Sequence, residues 1–550
     1  MAEFQEVSKQ SGLHPKPAGL VLQYGTAGFR TNAKDLDHVM FRMGLLATLR
    51  SKKTKATIGV MVTASHNPEE DNGVKLVDPM GEMVTPTWEG YATQLANAEQ
   101  EDLLTALKDV IEKEDINMNK QTDSHFYQTF SIINSRHSSA SLSQAVLDGV
   151  SALGGKSKDY GLVTTPQLHY MVCCQNTQGK YGEATVEGYY KKLCQAFIQL
   201  TKNASNCTDD QKHLTVDGAN GIGALKVREM ESHLKKELHI SLFNDGSKGK
   251  LNHQCGADFV KVQQKAPTGI EMNPGERCCS YDGDADRIIY YYSDSKGQFH
   301  LLDGDKIATL ISTFLKELLT QAGLDLQIAV VQTAYANGSS TRYLEDTMKV
   351  IVRCTKTGVK HLHHAAQEFD IGVYFEANGH GTVLFSKAAQ EKIQQLAENT
   401  GTDDERKRAA LLLQNTVNVI NQTVGDAISD MLLIEAILAI KSMTVQQWDA
   451  IYSDLPNRQL KVKVSDRRVI DTTDAERRAV SPDGLQEAID GLVKKYRQAR
   501  SFVRPSGTED VVRVYAEAET QESADDLAHE VSLAVYRLAG GVGGEPKPLH

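Results

Sequence analysis

Short apolar runs alternate along the chain with longer amphipathic stretches. The runs at 58–62, 214–216, 288–292, 328–331 and 371–375 are too short for helices and predict strands. The stretches at 185–200, 306–322, 387–400 and 427–441 predict helices. Strands and helices taking turns in this way read as α/β. From about Thr444 the pattern changes to a smaller α+β region, with a strand at 511–516 and a terminal helix at 523–538.

At 550 residues, the chain has the length for about three to four domains. Its hydrophobic content of 40% and charged content of 24% suit a protein that folds around its own cores, without staples. A net charge of -11 with no long basic run argues against nucleic acid or an anionic membrane as partner. An anionic substrate must then be held by local Arg and Lys. The eight cysteines lack CxxC spacing, and the adjacent pairs Cys173-Cys174 and Cys278-Cys279 are poorly placed for a disulfide framework. They are expected to be reduced and packed in cores. The first residues hold no apolar signal core, and no stretch has the length and apolarity to span a bilayer, so a cytoplasmic location is expected.

Two polar strings stand out. Thr63-Ala64-Ser65-His66-Asn67-Pro68 follows the run at 58–62 and offers a serine hydroxyl on a loop. Asp282-Gly283-Asp284-Ala285-Asp286-Arg287 offers three carboxylates at alternate positions. The second is not an EF-hand, because the sixth loop position is Arg287 in place of glycine and the twelfth is Ser293 in place of glutamate. Carboxylates this close repel one another, and a bound hard cation such as Mg²⁺ is the economical explanation. A hydroxyl nucleophile with such a cation is the equipment of phosphoryl transfer through a phosphoserine. The Gly-x-Ser-x-Gly elbow of hydrolases is missing around Ser65.

Further along, Glu376-Ala377-Asn378-Gly379-His380-Gly381 presents groups suited to sugar hydroxyls. Arg504-Pro505-Ser506-Gly507-Thr508-Glu509-Asp510 combines a guanidinium fork, hydroxyls and a glycine that lets backbone N–H approach a phosphate. Taken alone, Pro-Ser-Gly is equally a simple turn. Each string follows or separates strand-like runs and so falls on a loop, where open α/β sheets bind ligands. The run Gly218-Ala219-Asn220-Gly221-Ile222-Gly223 lacks dinucleotide-binding spacing and reads as a tight strand-to-helix turn.

These strings, in this order and with Tyr24-Gly25-Thr26-Ala27-Gly28-Phe29-Arg30 ahead of them, resemble the phosphohexomutase superfamily, and within it the phosphoacetylglucosamine mutases, from about Leu13 to the last residues. Asn378, where a serine is common in the wider superfamily, is the main ground for an acetamido sugar. The resemblance implies four domains around a central cleft: 1–185 with the phosphoserine loop, 186–302 with the Mg²⁺ loop, 303–445 with the sugar loop, and a smaller 446–550 that binds phosphate. The first three would share a mixed α/β core, although no repeat is visible in the sequence.

The resemblance also implies roles. Ser65 carries the phosphoryl group and gives Mg²⁺ a fourth ligand beside Asp282, Asp284 and Asp286. Lys75 or His66 acts as general base, and Arg287 and Arg30 offset phosphate charge. Glu376, Ala377, Asn378 and His380 hold the sugar, with Lys360 and His361 in the specificity loop Thr357-Gly358-Val359-Lys360-His361. Arg504, Pro505, Ser506, Gly507, Thr508 and Arg513 hold phosphate. The implied reaction interconverts N-acetylglucosamine 6-phosphate and 1-phosphate on the route to UDP-N-acetylglucosamine, primed by a sugar bisphosphate, in a monomer whose partner is a small phosphosugar. A glucose or mannose phosphomutase, a non-catalytic sugar-phosphate-binding relative and a phosphatase remain open at this level.

One stretch departs from the family pattern. Where an Arg-Asp-x-Arg run is common, the chain reads Ile133-Asn134-Ser135-Arg136, so that only Arg136 matches, as the second arginine. The segment 124–139 is therefore expected to lack charges that brace the serine loop.

Overall fold

The computed structural model describes residues 2–118, 128–133, 136–204, 208, 210–234, 236–507 and 510–549. The chain forms two compact units. One comprises 1–303, 378–382 and 411–445; the other comprises 304–377, 383–410 and 446–550.

The first unit contains two five-stranded sheets. The first sheet is built from β1 (Phe29–Asn32), β2 (Ile58–Val62), β3 (Asp71–Val77), β4 (Gln128–Ile133) and β5 (Lys156–Leu162), in the order β1-β3-β2-β4-β5. The second is built from β6 (His213–Asp217), β7 (His239–Phe243), β8 (Cys278–Tyr281), β9 (Ile288–Ser293) and β10 (Phe299–Leu302), in the order β10-β9-β8-β6-β7. In both, three parallel strands continue into two antiparallel ones. The second unit holds β11 (Ile328–Thr333), β12 (Ile351–Thr355), β13 (Ile371–Phe375) and, from Val383 on, β14 (Gly381–Phe385), in the order β12-β11-β13-β14. This repeats the sequence-to-space order of β7-β6-β8-β9. The second and third sheets thus share a strand order, a kinship invisible in the residues, while the first connects its strands in a different order.

The C-terminal region adds β15 (Asn457–Lys463), the hairpin β16 (Asp471–Thr473) and β17 (Arg478–Ser481), then β18 (Arg500–Pro505) and β19 (Val511–Glu517). Strand β19 lies between β15 and β18, and the helix Gln521–Leu538 covers the sheet with an apolar face of Leu527, Ala528, Val531 and Val535. Within this unit Arg500 ties the two sheets together. Its guanidinium donates to the Ala334 and Ala336 carbonyls at 2.7 and 2.6 Å and pairs with Glu517.

Each apolar run and amphipathic stretch forms the element expected of it. Two of the helices that the periodicity did not announce have local reasons. Asp37–Thr54 is buried on nearly every side, so it has no polar stripe to set a period. Thr165–Asn176 starts from a capping box, in which the Thr164 hydroxyl accepts from the Gln167 N–H and Gln167 Oε1 accepts from the Thr164 N–H. That cap matters below, because it fixes where Thr165 points. Six cysteines are buried thiols and Cys354 is half-buried, so the described cysteines are packed as expected. Among the described residues, no helix is long and apolar enough to cross a membrane.

Candidate active site

In the first unit, β2 ends at Val62 and delivers Thr63 and Ser65 to a buried loop. Ser65 adopts a left-handed backbone at φ 50°, a region that side-chain-bearing residues rarely enter. Its N–H donates to Thr63 Oγ1 at 3.0 Å, and its hydroxyl donates to Asp282 Oδ2 at 2.6 Å. Sequence neighbours do not explain this second bond. It joins loops more than two hundred residues apart.

Asp282, Asp284 and Asp286 are all buried, and one carboxylate oxygen of each lies within 4.8 Å of the others. Lys75, on β3, places its Nζ 3.3 Å from both Asp284 and Asp286. Thr165 Oγ1 donates to Asp284 at 2.7 Å. Asp282 Oδ1 accepts from the N–H groups of Asp286 and Arg287, at 3.1 and 3.2 Å. Burial pushes the Asp282 carboxyl well above its ordinary range, and the facing Asp286 and Asp284 push it further. Asp286 goes the other way. Burial would raise it, but Lys75, His380 and Arg287 together outweigh burial and hold it below the usual carboxylate range.

The donor set fits a hard divalent cation. The outer oxygens Asp284 Oδ1 and Asp286 Oδ1 are buried without a hydrogen-bond partner, an arrangement costly to leave uncompensated. Oxygen ligands with a serine hydroxyl beside them suit Mg²⁺.

Arg30, on β1, is desolvated and close enough to Arg287 for the two cations to repel, which lowers its pKa; its Nε finds no partner. Two guanidiniums near three carboxylates make a site of mixed sign, suited to a phosphoryl group on a cation. His66 is pushed down to about 2, first by burial and then by Arg287 and Arg30, so its ring is neutral at physiological pH. His380 is buried, and its Nδ1 donates to the Asp286 carbonyl at 2.7 Å. Its own N–H donates to Asn378 Oδ1 at 3.0 Å. Between them Gly379 has φ 87°, and the strand-like bridge there brings its carbonyl to the Ile288 N–H.

In the second unit, Glu376 and Ala377 follow β13, and the Ala377 carbonyl accepts from the Gly304 N–H. Lys360 and His361 lie in the first turn of the helix Val359–Ala366, Lys360 half-buried and His361 exposed. Arg504 and Arg513 stand directly opposite each other on β18 and β19. Arg504 pairs with Glu476 at 3.1 Å, whose other oxygen accepts from the Thr357 N–H and hydroxyl at 2.9 and 2.5 Å. Pro505 closes β18, the Ser506 N–H donates to the Val511 carbonyl at 2.8 Å, and Gly507 has open space around its α-carbon. Thr508 lies outside the described residues, as do 124–127, 134 and 135 of the segment that departs from the family pattern. Arg136 is described, and it braces the serine loop after all. Its guanidinium donates to the carbonyls of Ser65, Asn67, Pro68 and Asp71.

Sequence reasoning missed Thr165, Asn252 and Glu476. Only the capping pattern at Thr164–Gln167 carried a signal, and it announced a helix start rather than a ligand to Asp284.

Family models match all four parts of the chain: the alpha/beta/alpha domain I of phosphoglucomutase/phosphomannomutase over 45–102, domain II of phosphoacetylglucosamine mutase AMG1 over 181–289, domain III of the same family over 303–443, and the phosphoglucomutase/phosphomannomutase C-terminal domain over 460–534. The chain is 68% identical to human phosphoacetylglucosamine mutase over 98% of its length and 99% of the relative's. A crystal structure of Aspergillus fumigatus N-acetylphosphoglucosamine mutase in complex with GlcNAc-6P and magnesium superposes with a TM-score of 0.92 at 48% identity, covering 98% of this chain and 99% of that one. A serine-to-alanine variant of the same fungal enzyme, in complex with glucose 1,6-bisphosphate, gives a TM-score of 0.91 at 48% identity and the same coverage.

Proposed function

The chain belongs to the phosphoacetylglucosamine mutase family, and on that premise we propose that it interconverts N-acetylglucosamine 6-phosphate and N-acetylglucosamine 1-phosphate in the supply of UDP-N-acetylglucosamine. The observation that carries this reading is the buried Ser65 hydroxyl, 2.6 Å from Asp282 and inside a cluster of three carboxylates. A protein that only binds sugar phosphates has no use for a nucleophile so placed.

In this reading Ser65 enters the cycle as phosphoserine. A free sugar hydroxyl attacks its phosphorus, the bond from phosphorus to Oγ breaks, and the hydroxyl proton passes to a base. The product is a bisphosphorylated sugar. After it turns over, Ser65 Oγ takes the other phosphoryl group and the mutated monophosphate leaves. When bound, Mg²⁺ on Asp282, Asp284, Asp286 and the seryl phosphate supplies Lewis-acid charge to the transferring group.

The chain's own groups do the rest. Arg287 and Arg30 add positive charge where the oxygens of the transferring phosphoryl group carry negative charge. Lys75 is held by two carboxylates and takes the proton once it has given up its own; His66, with its ring so hard to protonate, is the weaker base. Glu376, Ala377, Asn378 and His380, with Lys360 and His361, orient the sugar. Arg504, Pro505, Ser506, Gly507, Thr508 and Arg513 take the phosphate that is not reacting. A cytoplasmic monomer, divided near 185, 303 and 445, completes the reading.

The test is phosphorus NMR of the purified protein with Mg²⁺, N-acetylglucosamine 6-phosphate and a trace of glucose 1,6-bisphosphate. A growing 1-phosphate signal, lost in Ser65→Ala, is the expected result. Faster turnover of glucose 6-phosphate or mannose 6-phosphate would move the substrate assignment. Net release of inorganic phosphate would replace the mutase with a phosphatase.

A further inference from the structure

Asn252 was marked by nothing in the sequence, yet it reaches across to the serine loop. Its Nδ2 donates to the carbonyls of Ser65 and Asn67, at 2.9 and 3.1 Å. Carbonyl oxygens only accept, so the amide must present its NH₂ to both. Asn252 is itself fixed: its backbone is left-handed at φ 56°, and its N–H donates to the Ala219 carbonyl at 2.9 Å, in the turn Gly218–Gly223. From the other side, the Arg136 guanidinium donates to the same two carbonyls, at 3.2 and 2.9 Å. Gly283, between two of the aspartates, packs so close that a Cβ there would lie 2.5 Å from the Ser65 carbonyl oxygen.

We infer that Asn252 is a positioning residue for phosphoryl transfer: with Arg136 it clamps the Ser65 and Asn67 peptides, so that the left-handed Ser65 keeps its hydroxyl on Asp282. The physical argument is one of strain and satisfaction. A serine in the left-handed region relaxes unless its surroundings over-determine it. Here the two carbonyls that define the turn are each held by two donors from different parts of the chain. Asn252 touches no reacting atom. It acts through the peptide of the residue that does.

The inference rests on the mutase reading, and the test separates the two. Asn252→Asp keeps the shape but turns the donor into an acceptor facing two carbonyls; Asn252→Ser removes the reach. Ser65 phosphorylation from glucose 1,6-bisphosphate is followed by intact mass, beside kcat, KM and the thermal midpoint. Both variants are expected to lose about 10–100-fold in kcat and in phosphorylation rate per folded enzyme, with KM within about twofold of the parent. Parent-like kcat in folded Asn252→Asp or Asn252→Ser, or a loss confined to KM or to the thermal midpoint, overturns the inference. If one variant does not fold, the other decides. A parent that phosphorylates Ser65 but makes no 1-phosphate would sink the mutase reading and leave the Asn252 comparison intact.

Discussion

Arg504 and Arg513 face each other in register across β18 and β19, two cations at one cross-strand position. Like charges directly opposite destabilise a strand pair. Glu476 relieves Arg504, whereas Arg513 makes no ion pair among the described residues. Such a pair is tolerable where an anion is to be bound, and the buried Tyr335 hydroxyl beside the two arginines adds a donor. Arg513→Ala is therefore expected to raise KM for the sugar phosphate by about tenfold or more, with a smaller change in kcat. Steady-state kinetics checks it. An unchanged KM would detach Arg513 from phosphate binding.

The carboxylate cluster is expected to need its cation for turnover. A chelator should stop 1-phosphate formation and Mg²⁺ should restore it. Asp282→Asn, which weakens both the cation site and the hydrogen bond to Ser65, should lose about 10²–10³-fold in kcat and resist rescue by added Mg²⁺. Full activity of the parent in excess chelator would contradict this.

Gly379 carries φ 87°, and a Cβ there would lie 1.9 Å from the Ile288 carbonyl oxygen. Gly379→Ala forces the backbone out of its bridge and moves His380 off the Asp286 carbonyl. The conformational part alone costs on the order of 1–3 kcal/mol. A lowered thermal midpoint together with reduced kcat is expected.

Asp430 lies in the helix Ala427–Ile440, fully buried, with neither carboxylate oxygen hydrogen-bonded. Burial, then Asp426, raises its pKa well above the ordinary value. A carboxyl whose folded pKa is raised contributes stability that is full below its unfolded pKa and lost as pH climbs through the folded one; every tenfold difference between the folded and unfolded ionisation constants corresponds to about 1.4 kcal/mol. Asp430→Asn removes the titration. Its thermal midpoint should exceed the parent's by more at pH 8 than at pH 5. A difference that shrinks with rising pH would show the sign to be wrong.

Asn378 accepts the His380 N–H through its side-chain oxygen, a bond that a serine hydroxyl can also make. Asn378→Ser should therefore fold and turn over. Its ratio of kcat/KM for glucose 6-phosphate over N-acetylglucosamine 6-phosphate should rise by about tenfold, some 1.4 kcal/mol of discrimination. Side-by-side rates on the two sugars measure it, and an unmoved ratio would remove Asn378 from specificity.

The sequence by itself determined the α/β character, because 58–62 and 371–375 are apolar runs of strand length and 306–322 has a helix period. It also exposed Ser65, the three aspartates and Arg504, because phosphoryl chemistry needs particular groups close together along a loop, and local spacing is what a sequence displays. Only the tertiary structure decided what holds those groups. Asn252 and Arg136 reach Ser65 across 187 and 71 residues, Thr165 reaches Asp284 across 119, and Glu476 reaches Arg504 across 28. Nothing local distinguishes an asparagine that clamps a distant carbonyl from one that caps its own turn. Nor does a pattern of apolar positions record which sheet edge comes to lie beside which. Those contacts exist only once the strands have chosen their neighbours, and that choice is made by packing the whole core.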